Sequence, residues 1–143
     1  MLKAVIVDSN AISRGLLNTV LSDGGYNVVA TTHTGAQGLL LIKKHHPQVF
    51  CIAREQVEDG SNTVEQIRAE HPKTMVFMMA ATIDANIMQA ALARGVQGFI
   101  VKPFKADTVL NTIRNVVIAM VKRQRAAMAE KDAAPEAGEA GEA

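Results

Sequence analysis

The sequence predicts an α/β fold in which a doubly wound parallel β-sheet lies between two layers of helices. The first observation is the short apolar segment from Val49 to Ala53, which follows Pro47 and precedes charged residues. A run this short and apolar on both faces is typical of a strand in the middle of a parallel sheet. The second observation is that four more apolar segments alternate with segments of helical periodicity. Five strands alternating with five helices favour right-handed crossovers within one three-layer α/β/α domain.

Each element has its own local signals. Apolar runs predict strands at residues 3–7, 26–30, 49–53, 75–79 and 98–101. Side chains that can cap a helix precede four of the five predicted helices, and residues 105–107 begin the last one. These capping residues are Asn10, Thr34, Ser61 or Asn62, and Asp84. Gly24 and Gly95 end the first and fourth helices, and Pro47 prevents the second from continuing. Residues 56–62 are polar and predict a loop.

Composition narrows the class of function. The net charge is +1, which gives no reason to expect binding to nucleic acid or to an anionic membrane. The single cysteine, Cys51, lies within the presumed central strand, so no internal disulfide can form. The chain shows no signal-peptide pattern and no apolar run of membrane-spanning length. We therefore expect a soluble cytoplasmic protein that has no cofactor, and the scattered histidines predict no metal site.

Several segments together resemble the receiver domain of bacterial response regulators, the CheY-like family. They are Val5-Ile6-Val7-Asp8, residues 47–53, residues 76–81 and Gly98-Phe99-Ile100-Val101-Lys102-Pro103-Phe104. The Lys-Pro-Phe ending is the most specific of them, and the resemblance covers about residues 2–121. It implies the flavodoxin-like strand order 2-1-3-4-5. It also implies a place in two-component phosphorelay signal transduction.

Typical receivers transfer a phosphoryl group onto their own aspartate, and the resemblance identifies the residues that this chemistry needs. An aspartate ends the central strand, and two acidic residues after the first strand hold Mg²⁺. A Thr or Ser ends the fourth strand, and a Lys after the fifth strand neutralises the charge of the phosphoryl group. The corresponding residues here form a degenerate pocket: Asp8, Ser9, Ala53, Ala80, Lys102 and Pro103.

Three of these positions depart from the family pattern. Ala53 replaces the nucleophile, Ser9 replaces one acid and Ala80 replaces the hydroxyl residue. We therefore interpret the chain as a pseudo-receiver without catalytic residues, in which Asp8 is at most a weak metal ligand. Asp8 and Lys102 are expected to neutralise each other. We further expect the lysine to be the deeper partner, so that loss of Asp8 costs more stability than loss of Lys102.

The leading hypothesis is a protein–protein interaction module that is not an enzyme. Its partner would be a sensor kinase or signalling enzyme, and the receiver contact face is the fourth helix, fifth strand and fifth helix. The face residues here are Ile87, Ala91, Phe99, Lys105 and Val109. One alternative is a conventional phosphorelay receiver that accepts phosphate on Glu55 or Asp59. Another is a flavodoxin-like protein with a small-ligand pocket near Asp8, Ala53 and Ala80.

The last predicted helix continues beyond the receiver-like domain of residues 1–121. Residues 122–130 extend that helix, whereas residues 131–143 are rich in Ala, Glu and Gly and predict a disordered tail. Some apolar positions of the helix fall at alternating spacings of three and four, the seam of a coiled coil. These positions are Leu110, Ile113, Val117, Met120, Gln124 and Ala127. A homodimer through this helix is the corresponding prediction.

Overall fold

The computed structural model describes the backbone of residues 1–142 and the side chains of residues 1–130. Its centre is a five-stranded parallel sheet with the order β2-β1-β3-β4-β5, as the sequence predicts. The strands are β1 Lys3–Val7, β2 Asn27–Thr32, β3 Val49–Ala53, β4 Met75–Ala80 and β5 Gly98–Val101. The helices are α1 Ala11–Asp23, α2 Gly35–His45, α3 Arg54–Val57, α4 Thr63–Glu70, α5 Ala85–Arg94 and α6 Ala106–Glu142.

Helices cover both faces of the sheet and divide the core into two clusters. On one face, Leu17 and Leu21 of α1 and Ile113 of α6 pack against alternate residues of the strands. On the other face, Ile42 of α2 and Ile67 of α4 pack against the remaining strand residues. Every residue of β3 has no solvent exposure, which confirms the prediction of a central strand apolar on both sides.

The predicted caps form at three helices. The side chain of Asn10 accepts hydrogen bonds from the backbone N–H groups of Ile12 and Ser13. Thr34 and Asp84 cap α2 and α5 in the same way. Asn62 precedes α4 in a left-handed conformation, and its side chain makes no capping bond.

The segment after β3 differs from the prediction. Residues 56–62 were expected to form a loop, but Gln56 and Val57 belong to the one-turn helix α3 and are buried. Val57 packs into the core between the sheet and α4. A single apolar residue in a polar stretch is too weak a signal for sequence periodicity to detect.

The last helix runs without a break from Ala106 to Glu142. Disorder is predicted for residues 131–143. These lie outside the residues whose side chains the structure describes, so the disorder stays a prediction. The structure corrects the predicted seam, because Ile113 has no solvent exposure and Leu110, Val117 and Met120 pack against the core. From Ile118 onward, the exposed apolar residues of the helix lie on a neighbouring stripe: Ile118, Val121 and Met128.

Within the described part of the chain, no helix is both long enough and apolar enough to cross a membrane.

Candidate functional site

The candidate site lies at the edge of the sheet where the parallel strands end. Asp8 directly follows β1, Ala53 and Ala80 are the last residues of β3 and β4, and Lys102 directly follows β5. Strand pairing aligns these ends, since Val7 pairs with Ile52, Ala53 with Met79 and Ala80 with Val101. The structure therefore brings together the four residues that the sequence places in one degenerate pocket.

Asp8 is the most constrained polar residue of the site, with 1% of its surface exposed. Its Oδ2 atom lies 2.9 Å from Nζ of Lys102, and its Oδ1 atom accepts a hydrogen bond of 2.9 Å from the backbone N–H of Asn10. The guanidinium of Arg14 donates to the Asp8 carbonyl at 2.6 Å. Both carboxylate oxygens thus have a donor, which meets the requirement for burying a charge.

Lys102 reaches Asp8 across the sheet. In the observed strand order, β3 and β4 lie between β1 and β5. Three strand spacings amount to roughly 14 Å, so the extended lysine side chain has to pass over the ends of both middle strands. Those ends are Ala53 and Ala80. The pair that the sequence predicts is confirmed by the 2.9 Å distance between Nζ of Lys102 and Oδ2 of Asp8.

The ends of the middle strands offer no nucleophile. Ala53 is fully buried and Ala80 is 5% exposed, and neither methyl group can accept a phosphoryl group or a proton. Cys51 precedes Ala53 by two residues and is also fully buried. Burial raises the pKa of its thiol to about 12, so the thiolate form is scarce at neutral pH.

The residues at this edge do not fit the Mg²⁺ ion that receivers use. A hard cation of this size needs several oxygen ligands, and carboxylates are the strongest of them. Asp8 is the one carboxylate here, and its oxygens already bind Lys102 and Asn10. Ser9 is exposed, and residues 1–130 contain no cluster of three or more His, Cys, Asp or Glu side chains that would hold a metal.

The two alternative acceptors are exposed carboxylates in the segment that follows β3. Glu55 is exposed on α3, and Asp59 is exposed just after it. Hydrogen bonds from the hydroxyl and backbone N–H of Ser61 lower the pKa of Asp59. Neither carboxylate makes a hydrogen bond to Asp8 or Lys102 among residues 1–130. Pro103 is exposed behind Lys102 and contributes no polar side chain.

Sequence reasoning missed Gln56, which is buried, with 8% of its surface exposed. Its Nε2 atom donates to the carbonyl of His33, which ties α3 to the loop after β2. Its Oε1 atom is buried and has no hydrogen-bond partner in the described part of the chain. Arg14 was missed as well, because its contact is with a backbone carbonyl, and no side-chain motif signals such a bond.

The predicted interaction residues occupy a surface beside this edge, formed by α5, β5 and the start of α6, which we call the α5–β5–α6 face. Lys105 is exposed there and Ile87 and Phe99 are half-buried. Ala91 and Val109 are 4% and 2% exposed, so these two support the face from beneath instead of offering contact area.

The exposed apolar area of this face comes from residues that the sequence analysis did not single out. Met88 and Leu92 are one helical turn apart on α5 and are 39% and 50% exposed. Val101 on the edge strand β5 is 52% exposed. A cavity of about 540 Å³ lies between β5 and α6, with Phe99 and Val101 among its lining residues. Met88 and Leu92 do not line this cavity, so the face combines a cavity with separate exposed apolar residues, and exposed apolar surface is typical of an interaction site.

Comparison with known proteins agrees with the architecture and the strand order. Residues 4–114 match the response regulator receiver domain family. The chain is 31% identical to the chemotaxis protein CheY of Listeria monocytogenes over 114 residues, which is 79% of this chain and 96% of that protein. It is 30% identical to CheY of Bacillus subtilis over 116 residues, 80% of this chain and 97% of that one. The solved structure of the chemotaxis response regulator CheY4 of Vibrio cholerae superposes with a TM-score of 0.73 at 28% identity, covering 81% of this chain and 98% of that structure.

Proposed function

The chain belongs to the response regulator receiver domain family, and from this premise we propose that it is a pseudo-receiver whose output does not depend on phosphorylation. It acts in two-component signalling as a protein–protein interaction module and not as an enzyme. A cytoplasmic location is part of the same proposal.

The observation that carries the proposal is the fully buried Ala53 at the end of β3, where a receiver needs its nucleophile. The neighbouring ion pair supports it. In a receiver, Lys102 and Asp8 would serve the phosphoryl group and the metal, whereas here they neutralise each other at 2.9 Å. A site that already contains its own balancing charges has no need of a phosphate to complete it.

The α5–β5–α6 face supports the interaction role. It combines the exposed apolar residues Met88, Leu92 and Val101 with the cationic Lys105 at its rim. We propose that a sensor kinase or another signalling enzyme docks on this face. Because the site lacks a phosphorylation switch, the face keeps one conformation and docking is constitutive.

The first experiment tests independence from phosphorylation. Incubation with acetyl phosphate and Mg²⁺ followed by intact-mass measurement is expected to show no added phosphate, because the methyl side chain of Ala53 has no oxygen to accept it. The triple variant Ser9→Asp/Ala53→Asp/Ala80→Thr restores the family pattern at three positions and is the control for the assay. A stoichiometric adduct on Glu55 or Asp59 of the natural chain would overturn the proposal in favour of a conventional phosphorelay receiver.

The second experiment tests the docking face. A tagged chain is used to capture partners from the native cell, and mass spectrometry identifies them. Leu92→Asp is expected to abolish capture of the specific partner, because a charge on the apolar face has to be desolvated on docking. Leu40→Asp is the matched control, since Leu40 is 64% exposed on α2, which packs on β1 and β2 at the other end of the strand order from β5. Equal capture by both variants would contradict docking on this face.

The last helix supports self-association as a second property of the module. From Ile118 onward it has an exposed apolar stripe of Ile118, Val121 and Met128, with spacings of three and seven residues. Positions separated in this way repeat along one side of a helix and can form a coiled-coil contact. We propose a homodimer through this stripe, in place of the seam that the domain itself covers.

A further inference from the structure

The net charge of +1 is unevenly distributed along the chain. Residues 108–129 belong to α6 and contain four basic side chains and no acidic one. The four are Arg114, Lys122, Arg123 and Arg125. All of them are exposed, and none forms an ion pair with a carboxylate among residues 1–130. This part of the helix therefore presents positive charge that the described side chains do not neutralise.

Most of these basic residues lie on the same side of the helix as the exposed apolar residues. Each residue advances about 100° around the axis of an α-helix, so Arg125 lies within about 20° of Ile118 and Lys122 within about 40°. Arg123, in contrast, lies about 140° away from Ile118. The surface that results spans about 120° of the helix, and we call it the basic stripe. It consists of Arg114, Ile118, Val121, Lys122, Arg125 and Met128.

The combination of charged and apolar side chains determines which kind of partner fits the basic stripe. A nucleic acid would engage the basic side chains and leave the apolar ones in water. A helix that lies in a membrane surface keeps its charges on the face opposite its apolar residues, whereas Lys122 and Arg125 flank Ile118 on one face. A partner helix whose apolar seam is flanked by acidic side chains matches both features, because such side chains pair with Lys and Arg at the edges of a helix–helix contact.

A second copy of the chain matches only the apolar part of this surface. Its Ile118 and Val121 can bury the same residues of the first copy, but its Lys122 and Arg125 bring like charges to the edges of the contact. Flanking charges influence the choice of partner in helix pairs, because like charges disfavour a pair and opposite charges favour it. An acidic helix from another protein therefore binds the same surface with attraction in place of repulsion.

We propose that the basic stripe binds an acidic amphipathic helix of a partner protein. The apolar seam of the partner packs on Ile118 and Val121, and its flanking carboxylates pair with Lys122 and Arg125. The stripe is about 21 Å long, which corresponds to about fourteen residues of partner helix. This contact is separate from the α5–β5–α6 face and does not depend on docking there. It competes with the proposed homodimer for the same side chains.

A fluorescently labelled peptide serves as the probe for this contact. It has three heptads with Leu at both seam positions and Glu at the flanking positions, and its charge-reversed twin has Lys at the flanking positions. Fluorescence anisotropy with the full chain at low salt is expected to show at least about tenfold tighter binding of the Glu peptide. Raising the salt to about 0.5 M should weaken this binding about tenfold, because ions screen the attraction. The homodimer has the opposite salt dependence, so the two contacts are distinguishable.

Two substitutions locate the contact on the helix. Arg125→Glu is expected to weaken binding of the Glu peptide at least about tenfold and to strengthen binding of the Lys peptide, because it reverses a charge beside Ile118. Arg123→Glu is the matched control, since it changes the same residue type by the same charge on another side of the helix. It should alter the affinity by less than about threefold. Both arginines are exposed, so neither substitution disturbs the core.

Three results would overturn the proposal. The first is that the full chain at about 100 µM binds neither peptide or binds both equally well. The second is an equal loss in the two variants, which would show that net charge alone governs binding. The third is that the full chain binds vesicles of phosphatidylglycerol and phosphatidylcholine but not the Glu peptide, which would assign the basic stripe to an anionic membrane.

Discussion

At the scale of single residues, the ion pair between Asp8 and Lys102 is buried asymmetrically. The side chain of Asp8 is 2% exposed and that of Lys102 is 22% exposed. The sequence led us to expect the lysine to be the deeper partner, and that expectation was wrong. Lysine keeps its charged end near water because its long stem can cross apolar surface, whereas the short aspartate stem holds its carboxylate where the strand ends.

The asymmetry reverses the expected order of two substitutions. Lys102→Met leaves the Asp8 carboxylate buried with one donor, the N–H of Asn10, and we expect a loss of about 3 kcal/mol in the free energy of unfolding. Asp8→Ala frees an ammonium group that can turn into water, and its loss should be smaller by at least about 1 kcal/mol. Urea unfolding at neutral pH measures both values, with Lys105→Met as the exposed control. Equal losses, or a larger loss in Asp8→Ala, would show that the aspartate is not the trapped charge.

The residue types were sufficient to predict which residues form the pocket. They were not sufficient to predict the contacts that these residues make. The resemblance placed Asp8, Ala53, Ala80 and Lys102 at neighbouring strand ends because parallel strands align these ends. Which partner is more buried depends on side-chain paths over the sheet, and spacing along the chain does not contain that information. Gln56 was missed for the same reason, since its partner is the backbone of a loop 23 residues away.

At the scale of secondary-structure elements, strands and long helices were predictable because their signals are local. The apolar runs and the capping residues Asn10, Thr34 and Asp84 act within a few positions. The one-turn helix α3 has no periodicity of its own, and it forms because Val57 is buried between the sheet and α4. Such tertiary stabilisation of a short segment leaves little trace in the sequence.

The last helix shows how one periodic pattern can serve two purposes. Its first turns present Leu110, Ile113 and Val117 to the core, and their spacing of three and four residues is also that of a coiled-coil seam. The residues that remain exposed lie about one position farther along the chain. Periodicity identifies an apolar side of a helix, but only the position of the sheet reveals which part of that side is already covered.

At the scale of the whole molecule, the described domain has different features at its two edges. The edge where the strands end contains the charge-neutral Asp8–Lys102 pair, and the opposite edge contains a cavity beneath α6. The five residues of β3 separate these edges by about 16 Å. The α5–β5–α6 face runs alongside both and includes the helix that forms one wall of the cavity.

The exposed stripe of α6 leads to a prediction about the oligomeric state. Ile118→Glu is expected to convert the proposed dimer to a monomer, because it places a carboxylate at the centre of the apolar contact. Ala119→Glu is the matched control on the same helix, one position away from the stripe and also exposed. Light scattering of the three full-length chains at about 100 µM, a concentration that reveals weak dimers, gives the comparison.

The basic residues of the extension add a salt dependence to the same prediction. Lys122, Arg123 and Arg125 are exposed around the stripe, and residues 108–129 contain no acidic side chain to offset them. Two copies that pair through Ile118 and Val121 bring these charges together, and the resulting repulsion is screened as ionic strength rises. The dimer should therefore strengthen between low salt and about 0.5 M salt, the range in which the Debye length falls well below the distance between the helices. If the natural chain is monomeric at both salt concentrations, or if Ala119→Glu dissociates the dimer as completely as Ile118→Glu, the stripe is not the dimer contact.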